Sequence, residues 1–234
     1  QMSIALEKMK LDIEQAGGSL NDYIKNTVYF KDMDSHYTLM RKMESEYYQR
    51  HTRSLAGDPP ASSVCQTNLS SPDYLVEIDA IGIVSKNKPG WEMKKYAAYY
   101  GGIKYAYPHV PPGHPMFSRS AVVGRLIFCS GAAGLALGTF KQASEVLEDQ
   151  MKITMDKIKM YMEQAGSAME NIVKMNIFIK DMEDLPRLRK AELEFYMINA
   201  PALVGEPPAS TVIEARMHKP DALMEIEAIG VIPA

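Results

Sequence analysis

Carboxylates, one serine and a few cations are the side chains here that could do chemistry. Glu227 ends the run Glu225-Ile226-Glu227, and Asp79 stands in the matching run near residue 80. A carboxylate beside a water can take a proton as the water attacks, which is hydrolytic chemistry without a cofactor. The same run also fits an edge strand with a solvated face. Ser130, in Cys129-Ser130-Gly131, offers a hydroxyl for hydrogen bonding. Arg189 could hold an anion, although Arg187 and Lys190 beside it mark a solvated helix face. Arg216 has the opposite parity from Ala209 and Thr211 and is expected to face away from them. No motif ties a histidine to Cys129, so a buried strand thiol is expected there. His36, His51, His109, His114 and His218 form no HxxxH or HExxH set, so no metal site is expected. His109 and His114 flank a proline-rich turn, 108–115, that could line a pocket mouth. No glycine loop suited to phosphate is present, and no cofactor is implied.

Composition narrows the class further. The 234 residues are 46% hydrophobic and 24% charged, as in ordinary globular proteins. The net charge is −3 with signs interspersed, and no basic stripe suggests a nucleic-acid partner. No apolar run is long enough for a membrane span, and no signal-peptide pattern opens the chain. It begins with Gln rather than Met, which points to removal of upstream residues. Cys65 and Cys129 are expected as reduced thiols in a cytoplasmic protein. The sequon Asn68-Leu69-Ser70 reads as a chance match.

The elements that must position these residues occur twice. EQAG, KDM, PPAS and the closing run EI(D/E)AIG recur in the same order within 1–84 and 150–232. Lys31 matches Lys180 and Pro59 matches Pro207, which leaves one extra residue in the first copy between Met33 and Gly57. Repeats this long are duplicated domains rather than solenoid units. Each copy opens with an apolar stripe of helical period: Met2, Leu6, Met9 and Ile13, then Leu147, Met151, Met155, Ile158 and Met162. Gly17 and Gly166 stop these helices. Period-two alternation follows at Ile24–Phe30 and at Val173–Ile179. Asp184, with Pro186 after it, is the expected cap of a second helix running to about Tyr196, and in copy one to about Gln49. Strands are expected at 62–70, 75–84, 210–218 and 223–232. Phe117 to Gly131 reads as a hairpin about Gly124, giving the second copy the order β-β-α-β-α-β-β. Copy one starts at its helix, without that hairpin. The tyrosine-rich junction 85–114, with Gly101-Gly102 at its centre, is expected either to fold back and supply the missing strands or to be a plain connector.

Val123 to Gly131, EQAG, Ile179-Lys180-Asp181-Met182, Pro208 to Val212 and Met224 to Ile229 together resemble the YjgF/Rid family of reactive intermediate deaminases, also described as endoribonuclease L-PSP-like. The resemblance implies an α+β fold made of two chorismate-mutase-like domains, 1–84 and 115–234, each a mostly antiparallel sheet covered on one face by two helices. It also implies homo-oligomers built on trimeric rings, with small-molecule sites in the clefts between domains. In deaminating relatives an arginine before the serine of the proline-rich motif clamps the substrate carboxylate. Ala209 and Ala61 stand there, and alanine can form no bidentate pair. The position of a family tyrosine is taken by Phe117, and that of a helix asparagine by Arg189 and, in copy one, Met40. The glutamate that orients water in relatives is matched to Glu227, with Asp79 its counterpart. The expected site is therefore Glu227 and Ser130 for chemistry, with Phe117, Ala209, Thr211, Arg189 and Asp79 binding the ligand. The expected activity is hydrolysis of an imine, enamine or related C–N compound. A non-catalytic ligand-binding or assembly role is the alternative, with endoribonuclease activity a weaker one.

Overall fold

The computed structural model describes residues 1–84, 88–97, 99–100, 103–104, 117–136 and 141–234. In the first unit, helix α1 (Met2–Gln15) leads to β1 (Tyr23–Phe30), α2 (Met33–His51), the short α3 (Arg53–Gly57), β2 (Ala61–Gln66) and β3 (Val76–Gly82). The junction holds β4 (Met93–Ala97), β5 (Tyr99–Tyr100) and β6 (Ile103–Lys104). The second unit is β7 (Ser118–Val123), β8 (Leu126–Cys129), β9 (Ala132–Ala133), α4 (Leu147–Gln164), β10 (Ile172–Ile179), α5 (Leu185–Asn199), α6 (Ala202–Gly205), β11 (Ala209–Glu214), β12 (Arg216–Met217) and β13 (Met224–Val231).

The apolar stripes do what their period requires. Met2, Leu6, Met9 and Ile13 are buried on α1, as are Leu147, Met151, Met155, Ile158 and Met162 on α4. Each stripe closes a core against its own sheet, so the two units carry separate hydrophobic clusters. In both, the strand after the first long helix (β1 or β10) runs parallel to β2 or β11 and antiparallel to the last strand, β3 or β13. Alternation of burial does not hold along β1: Ile24, Asn26, Val28 and Phe30 are buried, but so are Tyr23, Lys25 and Thr27, because both faces of the strand are covered. It also fails at Val173, which is exposed because the β10–β13 register shifts between Ile172 and Lys174. The second helix of the second unit is also entered differently from expectation. The cap is Asp181, whose carboxylate accepts from Glu183 N over one 3-10 turn, while Asp184 forms no side-chain cap. Pro186 sits in the first turn of α5, where it removes no hydrogen bond.

The units are joined by hydrogen bonds. One mixed sheet runs β11-β10-β13-β8-β7-β2-β1-β3 through both. At its middle, β7 meets β2 in parallel with Ser118 opposite Ala61. Ser130 Oγ accepts from Ser62 N at 2.7 Å and donates to Ser118 O. Gly131 N donates to Ser62 O, and Ser118 Oγ to Pro59 O. The segment expected as one strand, 210–218, breaks at Ala215, and its second piece, β12, crosses to pair with β2. The junction strand β4 pairs antiparallel with β7, not with β3. Among the described residues no junction strand therefore supplies the hairpin that copy one lacks, and β3 has an open outer edge. Residues 105–107 of the expected fold-back lie outside the described residues, as do His109 and His114.

Candidate functional site

At the joint between the units lies a cavity of about 80 Å³. From the first unit, α2 presents Tyr37 and Arg41, and β2 presents Ser62. From the second come Phe117, Gly131, Lys157 on α4 and Glu225 on β13. His218 and Lys219, in the turn after β12, close one side.

Glu225 is buried, and Val64 N lies 3.4 Å from its Oε1. Burial pushes its carboxyl up to about 7, with the charge of Glu227 adding to the shift and Val64 N–H, Lys25 and Arg41 opposing it. Gly131 is required for this packing: a Cβ there would stand 1.9 Å from Glu225 Oε1. Lys157 is also buried, and its Nζ donates to Ala133 O at 2.7 Å. Burial brings its ammonium down to about 8, partly offset by Glu225. His218 stacks on Tyr37 with ring centroids 3.7 Å apart, and burial drives its imidazole down to about 4, so it is neutral at pH 7. An acid and a base whose titrations are pushed toward neutrality from opposite sides, in one cavity, are a general acid–base arrangement.

Arg41 is only 3% exposed. Its Nη1 pairs with Glu44 Oε2 at 2.8 Å, its Nη2 donates to Ser62 Oγ at 3.3 Å, and the Tyr48 hydroxyl donates to Glu44 Oε1 at 3.4 Å. The second unit repeats the set: Arg189 pairs with Glu192 at 2.6 Å and donates to Ser210 Oγ at 2.9 Å, and Tyr196 OH donates to Glu192 at 3.2 Å. Arg41, not Met40, is therefore the counterpart of Arg189. Copy one enters α2 directly at Met33, so its extra residue falls before Arg41, and Met40 turns into the core.

The other expected site residues are dispersed. Phe117 lines the cavity. Ser130 does not, since both roles of its hydroxyl are used at the seam. Glu227 shares a strand face with Glu225, but two residues, about 6.6 Å, separate them. That step takes Glu227 from the cavity to a second groove, where Lys25 Nζ lies 2.7 Å from its Oε2 and Asn176 donates to its Oε1 at 2.8 Å. Burial alone would raise its carboxyl, yet Lys25 holds it below the ordinary value. Asp79 lines the same groove as Glu227. Ala209 and Thr211 lie on the exposed outer edge of β11, and Arg189 packs over that edge, half exposed, away from the cavity. Arg216 joins the units through Asp34 and Gln66. Cys65 and Cys129 are buried and free, and burial pushes both thiols up to about 12, against a nucleophilic role. Among the described residues, no three His, Cys, Asp or Glu side chains group as metal ligands.

The model of the family described as endoribonuclease L-PSP matches residues 1–84 and 110–232. The chain belongs to that family, also called YjgF/Rid. A 2-iminobutanoate/2-iminopropanoate deaminase of Dermatophagoides farinae is 30% identical over 125 residues, 53% of this chain and 92% of its own. A RutC family protein of Pyrococcus abyssi is 27% identical over 115 residues, 49% of this chain and 84% of its own. Among solved structures, Escherichia coli TdcF with bound serine is similar at 24% identity and a TM-score of 0.48, with 59% of this chain and 98% of that one covered. The α+β architecture expected for a YjgF/Rid protein is the one present. Tyr37, Arg41, Lys157 and His218 escaped the sequence reading because they come from three separate segments and fall in no motif, while Glu225 stands in the same run as Glu227, where residue type alone does not choose between them. The only available signal was the shared parity of Glu225 and Glu227.

Proposed function

We propose that this YjgF/Rid protein is a small-molecule hydrolase that deaminates an imine or enamine in the cavity between its two units. Glu225, rather than Glu227, takes the proton from the attacking water and passes it to the leaving nitrogen. Phe117 and Tyr37 form apolar and aromatic walls. The observation that carries this reading is a buried carboxylate titrating near 7, held against a glycine in a cavity both units line. The deaminase name of the Dermatophagoides relative favours the same chemistry. The reading includes a reducing, cytoplasmic compartment, which suits the two free thiols, and assembly with further copies along the open edges of β3 and β11.

The test is release of ammonia from 2-aminoacrylate-derived imines. Turnover by the native chain, lost by at least about a hundredfold in Glu225→Gln, supports the proposal. Turnover that survives Glu225→Gln sinks the mechanism. No turnover of any such imine favours the ligand-binding alternative.

A further inference from the structure

The cavity holds more positive charge than its carboxylates neutralise. Arg41 is paired with Glu44, yet its buried Nε finds no acceptor. Lys157 is buried with a single neutral acceptor, Ala133 O, and no carboxylate within 4.0 Å among the described residues. Lys219 adds charge at the rim, and among the described residues Glu225 is the only acid lining the cavity. A buried cation without a counter-ion is costly, and an anionic ligand removes that cost. The two cations come from different units, Arg41 from α2 and Lys157 from α4, so the joint itself creates the pair. Neither belongs to the proline-rich strand, where Ala61 and Ala209 leave nothing to hold a charge.

We propose that Arg41 and Lys157 are the anion-binding pair of this cavity, and that its ligand is a small molecule carrying one carboxylate. Arg41 offers its guanidinium charge at the cavity wall, with Glu44 and Ser62 fixing the plane. Lys157 offers the two Nζ protons that Ala133 does not take. The pair determines specificity, and Glu225 is left to act on the atoms beside the carboxylate. In the second unit Arg189 repeats the arginine cradle, pairing with Glu192 and donating to Ser210, but it lies half exposed on the β11 edge rather than in the cavity.

The inference rests on the reading of this cavity as the substrate site, so binding and turnover are measured separately. Calorimetric titration of the full chain uses pyruvate as probe and pyruvamide as its uncharged isostere. Pyruvate is expected to bind at least about tenfold more tightly than pyruvamide, since the charge-assisted bonds are the stronger ones. Lys157→Met weakens pyruvate binding by at least about tenfold. Arg41→Gln alone would strand Glu44, so the double variant Arg41→Gln/Glu44→Gln is used, with the same expected loss. Arg187→Gln, an exposed arginine, leaves binding unchanged. Circular dichroism melts confirm that the variants fold. Equal affinity for pyruvamide, no pyruvate binding, or pyruvate affinity unaffected by both cavity variants overturns the proposal. If pyruvate binding follows the expected pattern but no imine is turned over, the anion site stands and the hydrolase reading falls. Turnover with unaffected binding gives the reverse.

Discussion

Two carboxylates on one strand face, Glu225 and Glu227, illustrate how residue type underdetermines role. Burial acts on both, but only Glu227 has an ammonium at 2.7 Å, so one is raised and the other lowered. A base must be ionised, so kcat/KM for an imine is expected to rise with pH through about 7 as Glu225 loses its proton. It should fall again above about 8 as Lys157 loses its charge and with it the anion. A bell with those two limbs is the outcome to look for in a pH–rate series, and Lys157→Arg should move the alkaline limb upward. Gly131→Ala should displace the Glu225 carboxylate, because the added Cβ falls inside it. Overpacking of this kind costs about 1–3 kcal/mol, read from chemical denaturation, with activity lost alongside.

At the scale of elements, the joint between β7 and β2 decides whether a site exists. Ser130 spends its hydroxyl there, donating to one strand and accepting from the other. Ser130→Ala should leave Ser62 N–H and Ser118 O without that partner, costing about 1–3 kcal/mol by urea denaturation. The second fastening is the Lys25–Glu227 pair, buried between β1 and β13. Lys25→Met should destabilise the chain by about 3–5 kcal/mol by stranding Glu227, and Lys25→Met/Glu227→Met should recover most of the loss. A Lys25→Met variant as stable as the native chain would show that the pair contributes nothing.

Across the whole molecule, the two units present the same cradle in unequal settings. Ser62 and Ser63 on β2 are buried under β7 and β12, while the matching Ser210 and Thr211 on β11 are exposed. Exposed strand edges are ready to pair with another chain, and nothing on the β11 face blunts it with proline or a bulge. Multi-angle light scattering is therefore expected to find more than one chain per particle, and a strictly monomeric particle would rule out assembly along these edges.

The fold was legible in the chain because its signals are local. The stripe on α1 and α4 and the hairpin about Gly124 each follow from neighbours a few residues apart, and each formed. Misreadings arose where a single residue mattered: the bulge beside Val173, the cap at Asp181, and the extra residue that made Arg41 look like Met40. The site was hidden for another reason. Its walls are contributed by α2 and β2 of one unit and by β9, α4, β12 and β13 of the other, segments far apart in the chain. Periodicity says which face of an element is buried but not against what, and only the docking of β7 on β2 puts Glu225 in the cavity, turns Ser130 into a fastening and leaves Glu227 to Lys25.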